Sequence, residues 1–139
     1  MLRASQYAET ASSFFVFLNR NAVAAIFSTL FATPAKKREA HDTIWYADYE
    51  TAHRLYRDQI VVYRKLTDSH PDKFRLISST KELDSVIEHW SKPARDGEGH
   101  PVGLIYLMEG ADGIRSPHEL SEWYDMGLRL IGLAWAGTR

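Results

Sequence analysis

The chain has 139 residues, enough for one domain with its own core but about half of the ~250 that a complete eight-stranded α/β barrel takes. Its 17 Lys plus Arg balance 18 Asp plus Glu for a formal charge of -1, which excludes a charge-driven partnership with nucleic acid or an acidic membrane. With no cysteine there is no disulfide, thiolate metal cluster or cysteine nucleophile, so any metal must be held by histidine and carboxylate, and a cytoplasmic location is expected.

Residues 1–21 form an atypical N-terminal segment. The apolar run "SSFFVFLNRNAVAAIFSTLF" (Ser12 to Phe31) is broken by Arg20 and Asn21 into pieces shorter than the ~20 residues of a spanning helix. Glu9 stands where a leader peptide would be basic, so neither a signal nor a membrane span is expected. Ala22 to Phe31, closed by Thr33 and Pro34, reads as a strand covered on both faces.

After the basic stretch "AKKREAHD", Trp45, Tyr49, Ala52, Tyr56, Ile60 and Tyr63 recur at three- and four-residue spacing and predict an amphipathic helix over 46–68 with these side chains toward the core. It stops before "SHPD", where Pro71 turns His70 away from helical geometry. Phe74 to Ile77 follows as a short strand. Ser79 and Glu82 then make a capping box opening a helix whose apolar positions are Leu83, Val86, Ile87 and Trp90.

The polar loop "SKPARDGEGHP" delivers "VGLIYLM", Val102 to Met108, a second fully apolar strand with Glu109 at its end. Ser116 as cap, Pro117 at the first helical position and Glu119 three residues after the cap predict a further helix, with Gly127 as its stop. "LRLIGLAW", Leu128 to Trp135, reads as one more strand. Strand and helix alternate throughout, which implies an α/β fold with a parallel sheet, either open and doubly wound or part of a barrel.

In parallel α/β folds, sites gather at the carboxyl ends of the strands, here Thr33, Ser78, Glu109 and Trp135. Of these only Glu109 ionises near neutral pH. Followed by Gly110, it suits a metal ligand or general base; the alternative is a structural carboxylate capping the loop or paired with Arg115. The six histidines fail on placement. His53 and His89 are expected on helix faces toward solvent, His70 and His100 precede prolines, and adjacent His41 and Asp42 point to opposite faces. His118 with Glu119 lacks the second histidine of the zinc-protease helix, since Glu122 stands there. "GADG" lacks the spacing and the lysine of a phosphate loop, and Ser28, Ser78 and Thr138 form no nucleophile arrangement with histidine and acid.

"VGLIYLMEGADGI" with "PHELSEWYDMGLRLIGLAWAGTR" resembles the membrane dipeptidase (renal dipeptidase) family of zinc metallopeptidases, bacterial members in particular. The resemblance extends back through "LYRDQIVVYRKLTDSHPDKFRLI" to "VAAIFSTLFATPA" and covers residues 22–139. It implies a (β/α)8 barrel, of which this chain would be about half, with two zinc ions at the strand ends cleaving dipeptides through a metal-bridging hydroxide. Glu109 matches the bridging carboxylate of the family's glutamate-glycine motif. The family's His-x-Asp pair stands near the end of its first strand, where this chain has none; the spelling occurs at His70-Pro71-Asp72, in the turn before the strand from Phe74, and the family's two further histidine ligands are expected on strands beyond Arg139.

The expectation is therefore a fragment spanning the second to about the fifth strand of a dipeptidase barrel, with residues 1–21 a displaced start or reading-frame change. Such a chain would be inactive alone and prone to self-association through open sheet edges. The alternative is a non-catalytic α/β half-barrel acting as an assembly or interaction domain.

Overall fold

The computed structural model describes residues 4–94 and 99–134. Helix α1 (Ala4–Arg20) is followed by strand β1 (Ala25–Leu30), two short strands β2 (Thr33–Pro34) and β3 (Trp45–Tyr46), and the long helix α2 (Tyr49–Ser69). Strand β4 (Phe74–Leu76), helix α3 (Thr80–Trp90), strand β5 (Val102–Glu109), helix α4 (Leu120–Asp125) and strand β6 (Leu128–Gly132) complete the chain.

β5 is the centre of a four-stranded sheet ordered β1-β5-β4, with β6 also paired to β5. β4 runs parallel to it from Phe74 opposite Val102 to Leu76 opposite Leu104, and β6 from Leu128 opposite Tyr106 to Gly132 opposite Glu109. The expected parallel sheet is thus present. β5 is buried along most of its length, as its unbroken apolar run requires.

Two compact units divide the chain, one of residues up to Ile26 and from Arg64 to Leu104, the other from Phe27 to Tyr63 and from Ile105 onward. In the first, Ala11, Phe15 and Leu18 of α1 pack with Phe74, Val102 and Leu104, and Phe15 meets Phe74 edge to face at 5.8 Å. The segment read as atypical therefore contains a helix with a core face, because Ala11, Phe15 and Leu18 recur at helical spacing. Asn19 anchors the approach to β5: its Oδ1 accepts from the His100 backbone N–H at 2.7 Å and its Nδ2 donates to the His100 carbonyl at 3.1 Å. The predicted capping box is formed, with Glu82 N–H donating to Ser79 Oγ and the Glu82 carboxylate accepting from the backbone N–H of Ser78. That carboxyl group is held below its ordinary pKa chiefly by the same Ser78 hydrogen bond.

In the second unit α2 buries Ala52, His53, Tyr56 and Ile60. Gln59 clamps Phe31 through both its amide atoms, and the Tyr63 hydroxyl donates to the Thr29 carbonyl. Four expectations are corrected here. Trp45 and Tyr49 are exposed, since Trp45 lies in the unforeseen β2–β3 ladder and Tyr49 only begins the helix. His53, expected toward solvent, is 8% exposed. β1 is not covered on both faces: Phe27 is 57% exposed. Ser116 does not cap a helix through its side chain; a 3-10 turn (Pro117–Glu119) intervenes before α4, and the Glu119 carboxylate binds the Arg115 N–H instead. Gly127 does stop α4, in left-handed backbone at φ 103. The strand read as Leu128 to Trp135 ends at Gly132, with Trp135 outside the described residues.

Candidate functional site

Glu109 is the last residue of β5, opposite Gly132 of β6. The chain turns immediately after it because Gly110 has φ 83, a conformation that a side chain resists, and Gly110 N–H bonds the Gly132 carbonyl at 3.0 Å. A 3-10 turn (Ala111–Gly113) follows. Strand pairing and glycine geometry thus hold the Glu109 backbone, while its half-buried carboxylate has no hydrogen-bonding or ionic partner among the described residues. Arg115, the structural partner considered from sequence, is engaged elsewhere: its Nε donates to Glu119 Oε1 at 2.7 Å and its Nη1 to Glu50 Oε2 at 2.8 Å.

Tyr56 touches Glu109 directly, while Asp112 lies in the turn that follows it and His53 bonds that turn at Gly113, placements that sequence reading did not make. The Tyr56 hydroxyl donates to the Glu109 carbonyl at 3.0 Å. Burial pushes that phenol up to about 12, with the negative charges of Asp112 and Glu109 adding to the effect. Asp112 is a carboxylate only 7% exposed. His53 Nδ1 lies 2.9 Å from the Gly113 carbonyl oxygen and 3.6 Å from Glu119 Oε2, with its ring edge to face with Trp123 at 5.3 Å. The Glu119 carboxyl is held below its usual range first by the Arg115 side chain, with His53 a smaller contribution. The available signal in the sequence was the i, i+3 spacing of His53 and Tyr56, which puts both on one face of α2.

Other candidate positions have structural roles or fall outside the site. Thr33 is buried in β2, where its N–H bonds the Ile44 carbonyl. Ser78 donates from Oγ to Glu82. His41, His89 and His118 are exposed, and the His100 ring packs on Trp90. Among the described residues no group of three or more His, Asp or Glu side chains is placed to share an ion. Zinc ordinarily takes about four ligands, so the residues present do not by themselves fit a zinc centre.

No protein-family model matches the sequence, and no curated protein does either. Among solved structures the chain is similar to the crystal structure of dipeptidase AC, a metallopeptidase, with 18% identity and a TM-score of 0.66 over 88% of this chain and 33% of that one. It is also similar to the probable dipeptidase PvdM from Pseudomonas aeruginosa, with 13% identity and a TM-score of 0.66 over 88% of this chain and 28% of that one. At these identities the likeness establishes fold: the chain has the architecture of part of a dipeptidase, a partial (β/α)8-like fragment spanning about a third of the protein it resembles.

Proposed function

We propose that this chain carries one element of a metal-dependent dipeptidase centre: Glu109, whose carboxylate would be one ligand in a complete site, since no group of three metal-ligating side chains forms among the described residues. The observation that carries the reading is the unpartnered Glu109 carboxylate at the carboxyl end of the central strand of a dipeptidase-like fold. Zinc, when bound in a complete site, supplies Lewis acidity and an acidified water. This chain's own contribution is to present Glu109 on rigid backbone, and with one such carboxylate it is inactive alone. Dipeptides are the substrate class of the complete site.

Titrating zinc into the purified chain tests the assignment. Weak binding lost in Glu109→Gln is expected, with no dipeptide hydrolysis at any zinc concentration. Equal binding by wild type and variant would remove Glu109 from the site, and dipeptide hydrolysis abolished by a chelator would overturn the inactivity.

A second reading is favoured by exposed apolar side chains: Phe27 of β1, Leu130 of β6 and Leu133, the last 81% exposed. In this reading the chain is an assembly domain that self-associates through these residues. Sedimentation velocity is expected to show concentration-dependent oligomers that Phe27→Ser with Leu133→Ser diminishes; a wild-type monomer at every concentration would dismiss this reading.

A further inference from the structure

Helix α1 stops in a turn that ordinarily takes glycine. The Val23 N–H donates to the Leu18 carbonyl at 3.0 Å and the Ala22 N–H to the Asn19 carbonyl at 3.1 Å, the two backbone bonds of a Schellman stop. Its left-handed position is filled by Ala22 at φ 54, the one non-glycine residue with positive φ among the described residues. A Cβ in that conformation is strained, and Ala22 is exposed, so no packing of its methyl group offsets the strain. The chain therefore stores strain where α1 joins the strand that follows.

The contacts of α1 itself lie far along the chain. Phe15 and Leu18 pack with Phe74, Val102 and Leu104. Lys73 Nζ donates to Ser12 Oγ at 3.4 Å, and the Asn19 amide bonds both backbone groups of His100. We propose that α1 is an exchangeable element: two copies of this chain form a domain-swapped dimer in which the α1 of each seats on the Phe74, Val102 and Leu104 surface of the other. Every one of these contacts survives the exchange. Only the hinge of residues 21–23 changes, extending so that Ala22 moves to a negative φ and its strain is released in both copies. Phe15 and Leu18 are buried, so α1 must leave its seat before it can exchange, and the dimer forms slowly and persists on dilution. The surface involved is other than Phe27, Leu130 and Leu133, and the inference stands apart from the reading of Glu109.

The test incubates the full chain at high concentration in mild denaturant, dilutes it, and separates dimer from monomer by size exclusion. Ala22→Gly, which frees the stop of strain, is expected to lower the dimerisation constant about tenfold. Ala22→Val, worse than alanine at positive φ, is expected to raise it. Phe27→Ser with Leu133→Ser should leave this dimer unchanged; its loss there would assign it to those side chains instead and overturn the swap. Because the chain has no cysteine, a disulfide reads the exchange itself. A Cβ on Gly99 would stand 2.8 Å from Asn19 Cγ, so Asn19→Cys with Gly99→Cys can be oxidised across the α1 contact. On a denaturing gel the oxidised dimer fraction is expected to run as a covalent dimer and the monomer fraction as a monomer. A dimer fraction running as monomer, no dimer at any concentration, or equal dimerisation by wild type and both Ala22 variants would overturn the proposal. Should the cysteine pair fail to fold, the opposed responses of Ala22→Gly and Ala22→Val decide.

Discussion

At the scale of single residues, Tyr56 shows how burial and hydrogen bonding combine at the strand end. Its ring is buried beneath Gly113, and its hydroxyl serves the Glu109 carbonyl. Tyr56→Phe leaves that carbonyl without its donor and is expected to cost about 1–3 kcal/mol in urea unfolding. The same phenol gives a pH dependence. Its pKa is raised from 10.0 in the unfolded chain to about 12 in the folded one, so the folded state holds the proton more tightly. The stability linked to it is complete below pH 10 and falls as pH rises from about 10 to about 12. Comparison of wild type with Tyr56→Phe across that range should show the fall only in wild type; parallel curves would mean that the phenol ionises without penalty in the fold. None of this was visible from spacing, because Tyr56 matched the apolar stripe and its hydroxyl partner lies 53 positions away.

At the scale of elements, α1 and α3 illustrate different degrees of legibility. α3 was readable from its own residues because the capping box is local: Ser79 and Glu82 satisfy one another's neighbourhood three residues apart. α1 was not, since its apolar side chains occur on both faces and only packing distinguishes Phe15, buried against Phe74, from exposed Phe17. Phe15→Ala is expected to destabilise the chain by roughly 3–5 kcal/mol, and Phe17→Ala by less than about 0.5. Denaturant midpoints at constant slope check the contrast. Equal small losses would show that α1 contributes little to the unit's core. The start of α4 failed in the opposite direction: Ser116, Pro117 and Glu119 spell a helix start, but Arg115 draws the Glu119 carboxylate into an ion pair joined by Glu50. A local ion pair four residues apart, extended by distant Glu50, took the place of the cap.

For the whole molecule, residue pattern alone determined the alternation of strands and helices, the parallel sheet and the strand-end position of Glu109. These follow from short-range rules: an unbroken apolar run is stable only where a strand is covered, and a glycine after it permits the turn. The order of strands around β5, the burial of His53 and Asp112, and the pairing of Arg115 away from Glu109 were decided only by tertiary structure. Each depends on groups distant in sequence: His53 meets a carbonyl 60 positions away, and Arg115 a carboxylate 65 positions away. Periodicity reports which face of an element is apolar but carries no term for what that face meets. The character of each strand was therefore written locally, whereas the surroundings of the carboxylate at its end arose from the way the fold closes distant segments upon it.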